Sequence, residues 1–336
     1  MKKNNSPYSN HITLQNIVFY SSGTMDEYKK FAISYWNDTM SPIATLKKNV
    51  TNANGKQGEI WINTLDSTIN LLQKYWSLTE VHPVNNMNWN YIALGRQHNN
   101  PVVLKISCDA KVIEDEFNAL QHFAGAGAIK VIDYCSEYHA LLLEQAVPGY
   151  LLKEHHPKKI EEVIHIYAAV VKKLNKQSQI KQPFKHVREW CTVIDDMNDP
   201  RIPQNYIIQA KALRAMLLST LQDEYLCHGD LHLENIIQHH SDWLAIDPKG
   251  IVGEVAFEAA ACDLISDEEL KEPALVVPKL TYRIQLLSNA LDLDKNRLIG
   301  WIFLRIMLSI QWFIEDKGDP TRMLENAHYI FPLLTI

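Results

Sequence analysis

The chain has 336 residues, 46% of them hydrophobic and 21% charged, a composition that excludes wholesale disorder and allows about two domains. Its 39 Asp and Glu against 33 Lys and Arg leave a net charge of -6, which disfavours unspecific binding to nucleic acid or an anionic membrane and suits a neutral or cationic small molecule. Five cysteines, odd in number and never in a CxxC pair, write neither a disulfide framework nor a zinc site and fit a reducing cytoplasm.

Residues 1–44 are polar and rich in Asn and Ser, with no apolar stretch of signal-peptide length, and form an unassigned extension. Within it, residues 25–36 have the spacing of a short amphipathic helix through Tyr28, Phe31, Ala32 and Tyr35. Over 45–76 the pattern predicts two helices, broken by the turn residues at 52–55. The period then changes, because 90–94 and 102–106 are short β-rich runs joined by 95–101 in the pattern of a hairpin. Residues 110–124 return to helical spacing and end at Gly125 and Gly127, where C-terminal glycines belong. Strand-like runs at 128–134 and 140–145 follow, closed by Pro148 and Gly149. Beyond them the chain reads as mainly helical, at 160–178, 204–223, 257–264 and 294–314, interrupted by strands at 236–239 and 243–246. The most apolar segment, 298–314, contains Arg305 and Gln311 and falls short of the roughly 20 residues that span a bilayer, so it reads as a buried helix. The fold class is α+β and bilobal: leading helices and a sheet over 45–146, then a mostly helical lobe over 147–336.

The most informative segment is CHGDLHLENIIQHHSDWLAIDPKG, residues 227–250. If its two strand runs form a hairpin, Asp247 returns beside Asn235 and sets a carboxylate next to an amide oxygen. Hard oxygen ligands of this kind suit Mg²⁺ carrying a nucleotide's phosphates. Asp230, on the same loop, is suited to accept a proton from an attacking hydroxyl, as in kinase-type phosphoryl transfer. Loops also use Asp and Asn simply to turn. It is the ordered combination of three such residues with two strands that favours chemistry over turning. His228 and His232 flank Asp230 at a spacing that would bind zinc on a helix, but Gly229 interrupts them, so a structural role, holding the base by hydrogen bonds, is preferred.

Upstream, Lys105 stands in the apolar strand PVVLKIS, where a charge is unusual unless that face is solvated. Eleven residues later Glu116 lies inside the apolar stripe of Ile113, Phe117, Leu120 and Ala124. A carboxylate turned toward an interior costs several kcal/mol unless paired, and Lys105 is the nearest strand cation. No Gly-rich phosphate loop precedes the strand, and Asn85, Asn86, Asn88 and Asn90 are the turn residues available there.

These segments together resemble the aminoglycoside phosphotransferase superfamily, which has a protein-kinase-like fold. HGDLHLEN followed by IDPKG resembles its catalytic loop and metal aspartate, while VVLKIS, EFNALQHF and LLLEQAVPG resemble its nucleotide lysine, its helix glutamate and its hinge. DPKGIVGEVAFEAA and GWIFLRIMLSIQWFIED are most similar to the streptomycin 6-phosphotransferase and hydroxyurea kinase branch, as is the helical stretch NGKQGEIWINTLDSTINLLQKYWSLT. The resemblance spans about 46–330. It implies Asp230 as catalytic base, Asn235 and Asp247 as Mg²⁺ ligands, Lys105 on the α- and β-phosphates of ATP and Glu116 as its partner. It also implies a hinge at Glu144, Gln145 and Ala146 that offers backbone groups to adenine. The Asp-Phe-Gly of protein kinases is here Asp247-Pro248-Lys249, which removes the phenylalanine switch. Cys227 stands where the family usually has an aliphatic residue and is expected to be buried.

Together these readings describe an ATP- and Mg²⁺-dependent kinase for a hydroxyl on a neutral or cationic small molecule, such as an aminoglycoside. Glu254, Glu258 and Asp263 follow the metal loop closely and are candidates to meet a cationic acceptor, against the alternative of a solvated helix face. Glu315, Asp316 and Asp319 read as a solvated helix end. Two rivals remain: a metabolic kinase for a sugar or amino alcohol, and a nucleotide-binding regulator without catalysis. The sequence leaves the acceptor, the choice of ATP or GTP and the oligomeric state open.

Overall fold

A computed structural model describes residues 42–334 apart from 176–179, 181–182 and 222, so the helix expected at 25–36 lies outside the described residues. Two helices lead, α1 (Pro42–Asn54) and α2 (Lys56–Tyr75), and the break between them is Gly55, whose φ is 54° and ψ -131°. They pack very closely, for a Cβ on Gly58 would fall 2.4 Å from Val50 O. Glycine is therefore required where α2 crosses α1.

The first sheet contains β1 (Leu78–Pro83), β2 (Asn90–Gln97), β3 (Asn100–Ser107), β4 (Val131–Cys135) and β5 (Ala140–Glu144), in the order β1-β2-β3-β5-β4 and antiparallel throughout. The predicted hairpin is longer than the apolar runs suggest. Its strands continue to Gln97 and from Asn100, and His98 and Asn99 alone make the turn with φ of 48° and 69°. A two-residue turn with both φ values positive matches the twist of the strands it joins.

Strand alternation explains how Lys105 is placed. Val102, Leu104 and Ile106 point to one face and join a core with Leu46, Val50, Leu65 and Leu72 of α1 and α2. Val103 and Lys105 point to the other. Because the leading helices cover the back of the sheet, β3 is buried on both faces, and Lys105 occupies an interior position rather than a solvated one.

Helix α3 (Ala110–Phe123) begins at Asp109, whose carboxylate accepts from Lys111 N at 2.8 Å and Val112 N at 3.4 Å. It ends at Ala124 in the left-handed region, one residue earlier than the glycines suggest. Next comes β6 (Pro148–Leu151), which leaves the first sheet and pairs with the strand at Ile236–His239.

The helical lobe comprises α4 (Ile160–Leu174), β7 (Lys185–His186), α5 (Val187–Trp190), α6 (Gln204–Ser219), β8 (Tyr225–Cys227), β9 (Ile236–His239), β10 (Asp242–Ala245), β11 (Ile251–Gly253), α7 (Val255–Ala259), α8 (Asp267–Leu270), α9 (Pro273–Leu291), α10 (Lys295–Glu315) and α11 (Thr321–Ile330). At 21 residues α10 matches the length of the helix expected at 294–314 and is long and apolar enough to cross a membrane, but 72% of its apolar window is buried. Its Trp301, Phe303, Leu304 and Met307 are fully enclosed, as befits the central helix of a core.

Three elements have no clear sequence signal. β1 is largely exposed, contains a bulge between Thr79 and His82 and ends at a proline, so it lacks alternation. α9 carries Pro273 at its first turn, where no N–H is needed, and Pro278 inside it. The mixed sheet β7-β11-β8 is built of strands of two and three residues, too short to show a period.

Candidate active site

The catalytic loop starts from β8 and turns at Gly229, whose φ is +86°. A side chain there would be strained, and its Cβ would also lie 2.9 Å from Ile251 Cγ2. His228 is fully buried and both ring nitrogens are engaged: Nε2 with Ile246 O at 2.7 Å, and Nδ1 with the backbone N–H of Asp230 at 3.2 Å. The ring therefore donates from Nε2 and accepts at Nδ1. Burial holds it neutral by lowering its pKa to about 4. Through it the backbone of Asp230 is tied to the strand that leads to Asp247, as the expected structural role requires.

The predicted hairpin forms between β9 and β10, with Ala245 opposite Ile236, and Ile246 N donates to Asn235 O at 2.9 Å. Asp247 thus returns beside Asn235. The Asn235 side chain donates Nδ2 to Asp230 O at 2.8 Å, which leaves its Oδ1 as an acceptor. Asp247 has a left-handed φ of 59°, unusual for a residue with a side chain.

Lys105 closes the constellation from the other lobe. Its Nζ lies 2.5 Å from Glu116 Oε2 and 2.5 Å from Asp247 Oδ1, with the Lys105 and Glu116 side chains 6% and 2% exposed. Desolvation alone would lower the Lys105 pKa, but Asp247 and Glu116 outweigh it and raise it, so the ammonium stays charged. Lys249 Nζ is 2.8 Å from the second Asp247 oxygen. Against the cost of desolvation, the two ammoniums hold the Asp247 carboxyl far below the usual carboxylate range.

These residues face one cleft of about 760 Å³, lined by Lys105, Glu116, Asp230, Asn235 and Asp247 and also by Glu144, Gln145 and Ala146 of the hinge. Its roof is the connection between β1 and β2, where Met87 is buried and its sulfur accepts from Ile92 N at 3.2 Å. The Asn86 amide and the Trp89 indole N–H of this connection line the cleft and are buried without a hydrogen-bond partner among the described residues.

Residues 76–317 match the model of the family described as aminoglycoside/hydroxyurea antibiotic resistance kinase. The chain belongs to this family. It is 24% identical over 283 residues to the streptomycin 6-kinase of Streptomyces griseus, covering 81% of this chain and 90% of that one. To the streptomycin 3''-kinase of Klebsiella pneumoniae it is 27% identical over 230 residues, 66% of this chain and 83% of the relative. Among solved structures it is similar to a thermostable mutant of an aminoglycoside phosphotransferase, a ternary complex with ADP and hygromycin B, with a TM-score of 0.59, 12% identity, and coverage of 78% of this chain and 97% of that one. The fold is therefore protein-kinase-like, and the protein is a small-molecule kinase, a phosphotransferase with a hydroxyl acceptor.

Within this resistance-kinase frame the three acids that follow Asp247 part company. Glu254 and Glu258 do not face the cleft, which corrects the expectation that they meet an acceptor. Glu254 is 2% exposed and receives Arg297 Nε at 2.6 Å and Nη2 at 2.8 Å, together with the Trp301 indole. Glu258 is fully buried and accepts from His228 N and, at 3.3 Å, from Gly229 N. Burial pushes its pKa up to about 7, against the pull of Arg305. These two carboxylates brace α10 and the catalytic loop from behind. Asp263 does line the cleft, where it accepts from Leu233 N at 3.0 Å and lies 3.4 Å from Lys153. Asp319, read as a solvated helix end, lines the same cleft.

Sequence reasoning passed over two cations. Lys249 follows Asp247 by two residues, and the opposite charge so close to that carboxylate was the available signal. Arg305, visible as a charge interrupting an apolar helix, donates to Gly229 O at 2.9 Å and lies 4.6 Å from the Phe257 ring centroid.

The donor set suits a phosphate-bound magnesium ion. One carboxylate and one amide oxygen leave most of the coordination shell to phosphate and water, as Mg²⁺ prefers. No group of three or more His, Cys, Asp or Glu that could hold a metal ion exists among the described residues. The unsatisfied Asn86 and Trp89 donors face the same cleft as Lys105, as a polyanionic ligand would require.

Proposed function

We propose that the protein transfers the γ-phosphate of ATP, with Mg²⁺, to a hydroxyl of a small molecule. The observation that carries this reading is the return of Asp247 beside Asn235, with Lys105 on one of its oxygens. Lys105, kept charged and oriented by Glu116, binds the α- and β-phosphates. Asn235 and Asp247 hold Mg²⁺, which when bound offsets the phosphate charge that builds up during transfer. The hinge offers adenine the backbone of Ala146, since Gln145 N already donates to Pro101 O at 3.3 Å.

Asp230 takes the proton of the acceptor hydroxyl as its oxygen bonds to the γ-phosphorus. The bond from that phosphorus to the β,γ-bridging oxygen breaks and ADP departs. No covalent enzyme intermediate is needed. The streptomycin kinases among the relatives make streptomycin the first acceptor to assay. Incubation with [γ-³²P]ATP, with and without Mg²⁺, should yield a labelled acceptor only when the metal is present. Failure to bind Mg·ATP in calorimetry would sink the reading, and binding without transfer to any hydroxyl compound would favour the regulator instead.

A further inference from the structure

A glycine-rich phosphate loop works through its backbone, because without side chains the peptide N–H groups can come close to phosphate oxygens. The connection between β1 and β2, residues 84–89, lies where such a loop would act: it leads into β2, which pairs with β3 and sets Ile92 opposite Lys105. Yet the connection reads VNNMNW and contains no glycine. Its side chains keep a ligand off the backbone, so the donors it can bring to a phosphate are those of the side chains themselves.

Two such donors line the cleft. Asn86 Nδ2 and Trp89 Nε1 are buried and have no hydrogen-bond partner among the described residues, although an enclosed N–H without an acceptor is rare in a folded chain. The connection is fixed on its other side. Val84 and Met87 sink into the core that includes Leu46 and Val50 of α1, and Asn49 of α1 donates Nδ2 to Asn88 O at 3.1 Å. Val84 N donates to Ile92 O at 3.0 Å. α1 thus holds from behind a segment whose front presents two uncommitted N–H groups to the cleft that Lys105 lines. A phosphate chain suits both observations. It brings negative charge to the ammonium and several ionised oxygens to the two donors, and hydrogen bonds to ionised oxygens are the stronger kind.

We propose that Asn86 Nδ2 and Trp89 Nε1 bind the phosphate chain of the nucleotide, doing with side chains what a glycine loop does with its backbone. This rests on the kinase reading above and adds two binding residues to it. Asn86 Oδ1, likewise unpartnered, is left to water.

Asn86→Leu and Trp89→Phe remove the N–H groups and nearly keep the shapes. Each variant of the full chain is titrated by calorimetry with Mg·AMP-PNP and with adenosine, which retains base and sugar but no phosphate. The expected result is a loss of roughly tenfold or more for Mg·AMP-PNP in each variant, as when a hydrogen bond to a charged acceptor is removed, with adenosine affinity unchanged. A second measurement uses the unaltered chain labelled with ¹⁵N. The indole N–H resonance of Trp89, identified among the eight tryptophans by its disappearance in Trp89→Phe, should move downfield with Mg·AMP-PNP and show no such shift with adenosine. That readout does not depend on how well Asn86→Leu folds. Unchanged Mg·AMP-PNP affinity in both variants, with an unmoved indole resonance, would overturn the inference. Equal losses for adenosine and Mg·AMP-PNP would also overturn it, by giving the two residues to the base or to the fold. Both outcomes leave the kinase reading standing. Failure of the unaltered protein to bind Mg·AMP-PNP would instead bring down the kinase reading, and this inference with it.

Discussion

Two neighbouring stretches, 227–250 and 254–263, are similarly acidic, yet they face opposite ways. In the first, Asp230 and Asp247 line the cleft, with Lys105 and Lys249 closing on Asp247. In the second, Glu254 and Glu258 face inward, the one held by Arg297 and the other by two backbone N–H groups of the catalytic loop. The company a carboxylate keeps separates the two roles: lysine ammoniums mark the cleft, while backbone amides and a forked guanidinium mark a brace. Asp263 sits at the border, on the cleft wall but already holding Leu233 N.

Substitutions on the two sides should separate activity from stability. The largest effect is expected at Asp230→Asn, which should lower kcat by about 10² to 10⁴-fold while Mg·ATP affinity stays nearly intact, as measured by steady-state kinetics beside calorimetry. Retention of half the rate would show that Asp230 is not the base. On the other side, Glu254→Ala removes the buried acceptor of Arg297 and of the Trp301 indole, and should cost about 1–3 kcal/mol in urea unfolding. An unchanged midpoint would deny it the role of brace.

A smaller effect tests the pairing across the lobes. Lys105→Met and Glu116→Gln should each raise the KM for ATP, and the double variant should cost less than the sum, with a coupling of about 0.5–3 kcal/mol. Strict additivity would contradict the 2.5 Å contact.

The gentlest effect is on pH dependence. Burial lowers His156 and His228 to about 4 from an ordinary value of 6.5, so between those limits the unfolded chain binds more protons than the folded one. Their contribution is present above about 6.5 and is lost as pH falls toward 4. Glu258, raised to about 7, opposes this slope because it keeps a proton in the folded state. Glu258→Gln should therefore steepen the loss of stability between pH 7 and 4.5 in thermal melts, and a shallower slope would contradict its burial as an acid.

What was legible in the sequence was what depends on local order. The spacing of Asp230, Asn235 and Asp247 around two strands is enough to fold one onto another, and the hairpin between β9 and β10 forms as read. Lys105 and Glu116 were legible because each is a charge in an apolar pattern, which demands a partner. The fates of Glu254 and Glu258 were not, because their partners lie far along the chain or in the backbone: Arg297 is 43 residues away, and an amide leaves no mark in the sequence. α9 was hidden by prolines that normally end helices, one of which lies in its first turn.

The grip of Lys105 and Lys249 on Asp247 also bears on the order in which ligands arrive. With an ammonium on each oxygen, at 2.5 and 2.8 Å, the carboxylate meets a lone dication with two positive charges already beside it. A bound polyphosphate would offer both lysines a second anionic partner and so lessen that repulsion. On the proposed reading the two lysines would disfavour free magnesium and favour the metal–nucleotide complex, which brings its own negative charge to them.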